Sequence, residues 1–166
     1  MSLSTTMRHI AGTLYNEPYS KALRDAFWVI PTVQSIHIAA IAVVIAAVLV
    51  TDLRLAGVLA TDESPRTILR RHMPWLWAAL AVLLTTGVIM VVAEPNRVFA
   101  NSIFWTKMAL VLVALGMTLL FRYPIMHPEF KLEHARWAKL VKPLAWASMA
   151  IWVVVVFCGR WIAYSA

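Results

Sequence analysis

The sequence predicts an all-α integral membrane protein, a four-helix bundle that crosses the bilayer about four times. The chain has 166 residues, of which 61% are hydrophobic and 14% are charged, whereas an average soluble domain is about 45–50% apolar and about 25% charged. A chain of this length has too small an interior to hide so much apolar surface from water. Four apolar runs, each long enough to cross about 30 Å of hydrocarbon, account for the excess. The composition therefore argues against a soluble enzyme.

Residues 1–26 precede the apolar runs and are predicted to form a surface segment. Charged side chains are scattered through the segment, so it lacks the apolar centre of a cleavable signal peptide. Leu3, Met7, Ile10 and Leu14 recur at helical spacing, which favours a helix that lies along the membrane interface. A frayed tail is the alternative.

Residues 27–166 are predicted to form the transmembrane bundle as one domain. The four spans run from Trp28 to Val50, from Met73 to Ala93, from Ile103 to Phe121 and from Pro143 to Tyr164. Asn101-Ser102 is a suitable cap for the third span. Ser64-Pro65 predicts the start of a short helix in the first loop, and the charged stretch Glu129–Lys139 predicts a helix in the third loop.

The Lys and Arg residues predict the orientation, because cytoplasmic loops carry the excess of basic residues. The first and third loops with their borders hold nine of them, and the opposite side holds six. The nine are Arg54, Arg66, Arg70, Arg71, Arg122, Lys131, Arg136, Lys139 and Lys142, and the six are Arg8, Lys21, Arg24, Arg97, Lys107 and Arg160. Both termini are therefore expected outside the cytoplasm, in the periplasm of a Gram-negative host. The formal charge of +7 is explained by these loops, and no nucleic-acid partner is expected.

Ionisable side chains inside spans are costly and mark functional sites by default. His37 lies deepest, and Gln34 is on the same helix face one turn earlier. Lys107 and Arg160 lie near the same predicted side of the membrane, where Glu94 closes the second span. We expect these groups to converge on a pocket between helices, with Gln34 orienting His37 and with the two cations neutralising acidic groups of a ligand. The alternatives are cations that extend to the headgroups and a histidine that only joins two helices.

On the opposite side, Asp52 and Arg54 lie two residues apart, where their side chains diverge around a helix. Each is expected to pair with another element. We therefore interpret Asp52, Arg54 and Glu94 as structural polar residues. Cys158 lies within an apolar run, and a single cysteine excludes an internal disulfide.

The candidate ligands are haem b and a quinone. A bis-histidine haem needs two imidazoles at matching depth on facing helices, and His37 has no second intramembrane histidine to match it. A haem ligated by His37 alone, with Lys107 and Arg160 on its propionates, is chemically sensible. The same groups suit a quinone head or a lipid phosphate.

Several sequence patterns resemble a known family. They are Gln34-Ser35-Ile36-His37, Asp52-Leu53-Arg54-Leu55-Ala56-Gly57, Pro74-Trp75, the set Asn101, Phe104 and Lys107, and Gly159-Arg160-Trp161. Together they resemble a bacterial family of small four-span inner-membrane proteins catalogued as a domain of unknown function. The resemblance covers the chain from Phe27 onward and implies four spans in a bacterial inner membrane. It carries over no activity.

The leading hypothesis is a membrane bundle with an outward-facing polar pocket for a small, redox-linked ligand at His37. The rival is a non-catalytic assembly subunit of a homo-oligomer or larger membrane complex, whose polar residues only join helices. A transporter or channel is less well supported, because the spans lack the paired broken helices of transporters. Whether the protein catalyses a reaction stays open.

Overall fold

Four long helices dominate the computed structural model, which describes residues 3–99, 101–127 and 138–162. The first two are α3, Val29–Ala56, and α4, Pro65–Ala93. The third span consists of α6, a π-helical turn and α7, and the fourth is α8; their bounds are Ser102–Met117, Thr118–Arg122, Tyr123–Ile125 and Val141–Ile162. All four spans are long and apolar enough to cross a membrane. The described ranges contain no strand, and the predicted all-α class is confirmed.

The helices begin and end where local chemistry predicts, with two differences in length. Gly57 caps the end of α3 in the left-handed conformation at φ 79°. The helix therefore ends at Ala56, six residues beyond the predicted end of the first span, Val50. Ser64 caps α4 by accepting a hydrogen bond from the Thr67 N–H at 3.2 Å. The short helix predicted at this point is therefore the first part of α4, which continues through Pro74. Most of Glu129–Lys139 and the last residues of the fourth span lie outside the described residues.

The N-terminal segment forms two helices, α1 from Leu3 to Asn16 and α2 from Pro18 to Asp25. α1 packs against the short α5, Pro95–Phe99, and α2 packs against α3 and α4. Ser20 donates a hydrogen bond to the Val92 carbonyl at 2.8 Å, and Arg24 donates one to the Ala93 carbonyl at 3.0 Å. These bonds satisfy carbonyls that the end of α4 leaves without an intrahelical donor, so the segment is joined to the bundle.

The bundle has one open side. α3 packs against α4 and α8, and α8 packs against α6, whereas α4 and α6 do not approach each other closely in the described ranges. We call the end where α3 and α6 begin and where α4 and α8 end the terminal end, because α1 and α2 also lie there. A central apolar layer, which we call the apolar core, consists of Val44, Ala47, Val48, Met73, Leu76, Ala79, Ala114, Trp152 and Val155.

The outward faces of the spans are apolar. Within the most apolar part of each span, at most 33% of the residues are buried inside the protein. Large side chains in the middle of spans are exposed, among them Leu84 at 71% and Leu112 at 69%. A protein in water rarely exposes contiguous apolar surface on this scale. The exposed faces are those of helices that contact hydrocarbon.

A buried ion pair joins three helices at the end of the bundle opposite to the terminal end, which we call the opposite end. Arg122, at the end of the π-helical turn, donates to both carboxylate oxygens of Asp52 on α3, at 2.6 and 2.7 Å. The same Nη2 atom lies 2.7 Å from Ser148 Oγ on α8. Arg54 instead donates to the Glu63 carbonyl in the first loop, at 2.8 Å from Nε. Asp52 and Arg54 thus contact different elements, as their spacing predicts.

We expect Asp52→Asn to destabilise the protein by about 3–5 kcal/mol, because it leaves the buried Arg122 guanidinium without a counter-charge. The free energy of unfolding is measured by titration with sodium dodecyl sulfate in mixed micelles. The double variant Asp52→Leu/Arg122→Met removes both charges and should recover most of the loss. Equal losses in the single and double variants would contradict the assignment.

Candidate functional site

A cluster of polar groups from three helices lies in the terminal half of the bundle. It consists of His37 on α3, Thr86 on α4 and Lys107 on α6, and we call it the His37 cluster. Along the helix axes His37 lies about 12 Å from Val29, Thr86 about 10 Å from Ala93 and Lys107 about 8 Å from Ser102. The three residues therefore lie at depths within about one helical turn of each other.

The hydrogen bonds of Thr86 bear on the tautomer of His37. The Thr86 hydroxyl oxygen lies 2.7 Å from the Val82 carbonyl, a common bond within a helix, and 2.7 Å from His37 Nδ1. The Nδ1 contact fits either direction of donation. We assign the hydroxyl proton to the Val82 carbonyl, which makes Nδ1 the donor. A neutral imidazole with its proton on Nδ1 presents a lone pair at Nε2.

The Lys107 ammonium lies beside α8. A Cβ atom placed on Gly159 would lie 3.3 Å from Lys107 Nζ, so the glycine leaves the space that the side chain occupies. Lys107 lies within electrostatic range of the His37 ring and of Cys158 on α8. Within the described part of the chain, the ammonium has no carboxylate partner. A cation without a carboxylate therefore lies within electrostatic range of the imidazole.

A second glycine borders the imidazole. A Cβ on Gly87 would lie 3.8 Å from His37 Cε1, which is ordinary van der Waals contact. An alanine at this position would therefore touch the ring without a clash. The contact with Thr86 is the one that orients the ring.

Three further residues were predicted to belong to the site, namely Gln34, Arg160 and Glu94. Gln34 is exposed, and the orienting hydrogen bond that we expected from it is made by Thr86 instead. Arg160 is exposed near the end of α8. Glu94 is half-buried and ends α4, where its N–H donates to the Met90 carbonyl at 3.0 Å.

The arrangement suits a ligand that has a hydrogen-bond donor next to an acceptor. His37 Nε2 accepts a hydrogen bond or ligates a metal ion, and Lys107 donates to an oxygen or balances a negative charge. A second histidine at this depth is not found in the described ranges. His72 lies about 21 Å from Thr86 along α4 and contacts the Ile68 carbonyl at 2.9 Å. His127 stacks edge-on against Tyr123 at the opposite end.

Sequence reasoning missed Thr86 and the two glycines. Thr85-Thr86-Gly87 interrupts an otherwise apolar run in α4, and threonine hydroxyls commonly hydrogen-bond across membrane helices. The polar interruption in α4 was therefore a sequence signal for a hydrogen bond between helices. The pairing of Thr86 with His37 depends on how α3 and α4 rotate against each other, which no residue spacing within one helix reports.

Comparison with protein-family models matches residues 25–165 to a family of unknown function, DUF6644. The match covers the four spans and all members of the His37 cluster. No curated protein and no solved structure matches the chain.

We expect the ¹⁵N spectrum of His37 to show a protonated Nδ1 and an unprotonated Nε2. Thr86→Val removes the acceptor of the Nδ1 proton, so the population of this tautomer should fall. Thr85→Val is the matched control, because Thr85 is exposed and its hydroxyl donates to the Ala81 carbonyl. Solid-state NMR of selectively labelled protein in lipid measures both nitrogens. An Nε2-protonated ring in the wild type would refute the assignment.

Proposed function

Because the chain belongs to this family of unknown function, its role has to be inferred from its own residues, and we propose that it binds the head group of a lipophilic quinone at the His37 cluster. The observation that carries the proposal is that, inside a membrane bundle, Thr86 contacts the Nδ1 side of the His37 ring while the Lys107 ammonium lies within electrostatic range of the ring.

The two groups complement the two oxidation states of a quinone. The carbonyl oxygen of the oxidised form accepts a hydrogen bond from the Lys107 ammonium, and the hydroxyl of the reduced form donates one to His37 Nε2. Hydrogen bonds to charged groups are the stronger ones, at about 1.5–3 kcal/mol each. The site therefore offers one hydrogen bond to the oxidised quinone and another to the reduced quinone. This complementarity supports the role of a quinone-binding protein.

Access for a lipid-soluble ligand is available from the side. α4 and α6 do not approach each other closely, and Thr86 and Lys107 belong to these two helices. A quinone tail that is dissolved in the acyl chains reaches the head-group site between them. The exposed apolar faces of α4 and α6, for example at Leu84 and Leu112, suit such a tail.

A haem is the second candidate. A metal-ligating histidine almost always donates its other ring N–H to a nearby acceptor, as His37 does to Thr86. His37 would be the protein ligand to the iron, and Lys107 would pair with a propionate. A bound haem would supply one-electron chemistry. The described residues offer no second histidine at this depth, which favours the quinone.

The rival role is that of an assembly subunit in which the cluster only joins helices. The His37–Thr86 bond also fixes α3 to α4, and a partner or a second copy would cover the side between α4 and α6. His37→Ala separates the two accounts. Loss of folding or of oligomeric state, with no ligand lost, would favour the assembly role.

We infer further that the protein resides in a bacterial inner membrane with both termini outside the cytoplasm. Arg122 lies inside the bundle and Lys107 lies among the spans, so neither belongs in a count of loop charges. Without them the first and third loops hold eight basic residues, and the terminal side holds five. The excess that directs those loops to the cytoplasm is unchanged.

We expect the purified protein to bind a short-tailed ubiquinone or menaquinone saturably, measured by quenching of tryptophan fluorescence in nanodiscs. Lys107→Met and His37→Gln should each weaken binding of one oxidation state about tenfold or more, since each removes one charged or fixed hydrogen bond. His72→Gln, at the opposite end of α4, is the control and should bind like the wild type.

Absence of saturable binding in the wild type would contradict the quinone assignment. An absorption spectrum of the same preparation, recorded before and after addition of haemin, tests the second candidate. A Soret band that His37→Gln abolishes would replace the quinone with haem.

The orientation is tested by cysteine accessibility in intact cells, in a background in which Cys158 is replaced by alanine. We expect a membrane-impermeant maleimide to label a Glu17→Cys variant and to leave a Glu63→Cys variant unlabelled until the cells are lysed. Glu17 precedes α2, and Glu63 lies in the first loop. The reverse pattern would invert the proposed topology.

A further inference from the structure

The buried ion pair at the opposite end borders a cavity that the proposed quinone site does not use. Asp52 on α3, Arg122 after α6 and Ser148 on α8 supply the polar part of its wall. The rest of the wall is apolar, with Leu55, Met117, Phe121, Ile125, Val141, Leu144 and Ala145. The apolar core separates this cavity from the His37 cluster.

Arg122 has hydrogen-bond donors to spare. Its Nη2 atom makes all the contacts to Asp52 and Ser148. Its Nη1 atom is buried and has no acceptor among the described residues. An unsatisfied buried donor costs about 1–3 kcal/mol, and more when the group is charged. A native protein ordinarily supplies an acceptor for such an atom.

The size of the cavity limits what that acceptor can be. Its volume is about 20 Å³, and a water molecule needs at least about 10–15 Å³ by the same measure. A lipid chain or an organic ligand does not fit this volume. A halide ion would add an uncompensated charge, because Asp52 already neutralises Arg122.

We propose that this cavity binds one ordered water molecule, which accepts a hydrogen bond from Arg122 Nη1. Its own protons are donated to the oxygens of Asp52 and Ser148, two residues that line the same cavity. The three partners lie within the usual range of two to four for a buried water. The water thereby supplies the missing hydrogen-bond acceptor to the Arg122 guanidinium, which is otherwise surrounded mainly by apolar side chains.

Arg122 reaches this position because of the π-helical turn. Thr118–Arg122 interrupts the α-helical repeat of the third span, and such turns occur frequently where a side chain is redirected for a specific role. Thr118 is itself buried and donates to the Ala114 carbonyl at 3.0 Å. The backbone and the ion pair together fix the guanidinium beside the cavity.

Radiolytic hydroxyl labelling tests the proposal, because a bound water generates radicals next to it. In the wild type, we expect Met117, which lines the cavity and is half-buried, to be oxidised several-fold faster than the buried Met73. Because exposure alone also raises the Met117 rate, the part due to the bound water is measured by the cavity variant. Val141→Ile adds one methylene group at the cavity wall and should lower the Met117 rate several-fold. Val155→Ile makes the same change in the apolar core and should leave the rate unchanged.

Equal oxidation of Met117 and Met73 in the wild type would overturn the proposal. A Met117 rate that Val141→Ile leaves unchanged would also overturn it, since radicals from bulk solvent would then explain the labelling. An experimental map that resolves waters supplies the second measurement. Density within hydrogen-bond distance of Arg122 Nη1 supports the site, and an empty map or a halide ion there overturns it.

Discussion

Hydrocarbon offers no hydrogen bonds, and this constraint decides where each polar side chain of the bundle lies. A polar group inside a span needs a partner within the protein or a place near the headgroups. Asp52 and Arg122 satisfy it with each other, and His37 satisfies it with Thr86. These two contacts join different helices, and each also fixes how two helices rotate against one another.

The polar groups of the bundle form two separate layers, the His37 cluster and the Asp52–Arg122 ion pair, and the two layers differ in how their charges are paired. At the opposite end, charges are paired and buried, so the Asp52–Arg122 contact contributes mainly to the assembly of three helices. In the His37 cluster one hydrogen bond fixes the imidazole, while Nε2 and the Lys107 ammonium keep unused capacity. The apolar core between the layers contains no charged residue, so apolar side chains separate the two polar layers. The His37 cluster thus differs from the paired charges at the opposite end, where the unused donor is Arg122 Nη1.

Much of the fold follows from the sequence, because span length and apolar composition are properties of single helices. The predicted spans, the cap at Asn101 and the depths of His37 and Lys107 depend only on local spacing. Partners across helices depend on rotation and tilt, which local spacing does not report. Arg122 was accordingly counted as a loop charge although it is buried against Asp52, and Gln34 was assigned the orienting role that Thr86 has. The extension of α3 to Ala56 places Asp52 inside the helix, where it meets Arg122.

The length of α4 has a consequence for the choice of membrane. Its 29 residues extend about 43 Å at 1.5 Å per residue, and an ordinary hydrocarbon core is about 30 Å thick. Either α4 is strongly tilted from the bilayer normal, or its first turns extend beyond the acyl chains into the headgroup region. Those first turns carry Arg66, Arg70 and Arg71. Arg66 donates to the Met126 carbonyl and Arg71 pairs with Glu63, while the exposed Arg70 suits a lipid phosphate. The thickness of the hydrocarbon core, compared with the length of α4, thereby sets how far the first turns of α4 extend into the headgroup region. A thicker bilayer would bring these arginine-bearing turns closer to the acyl chains.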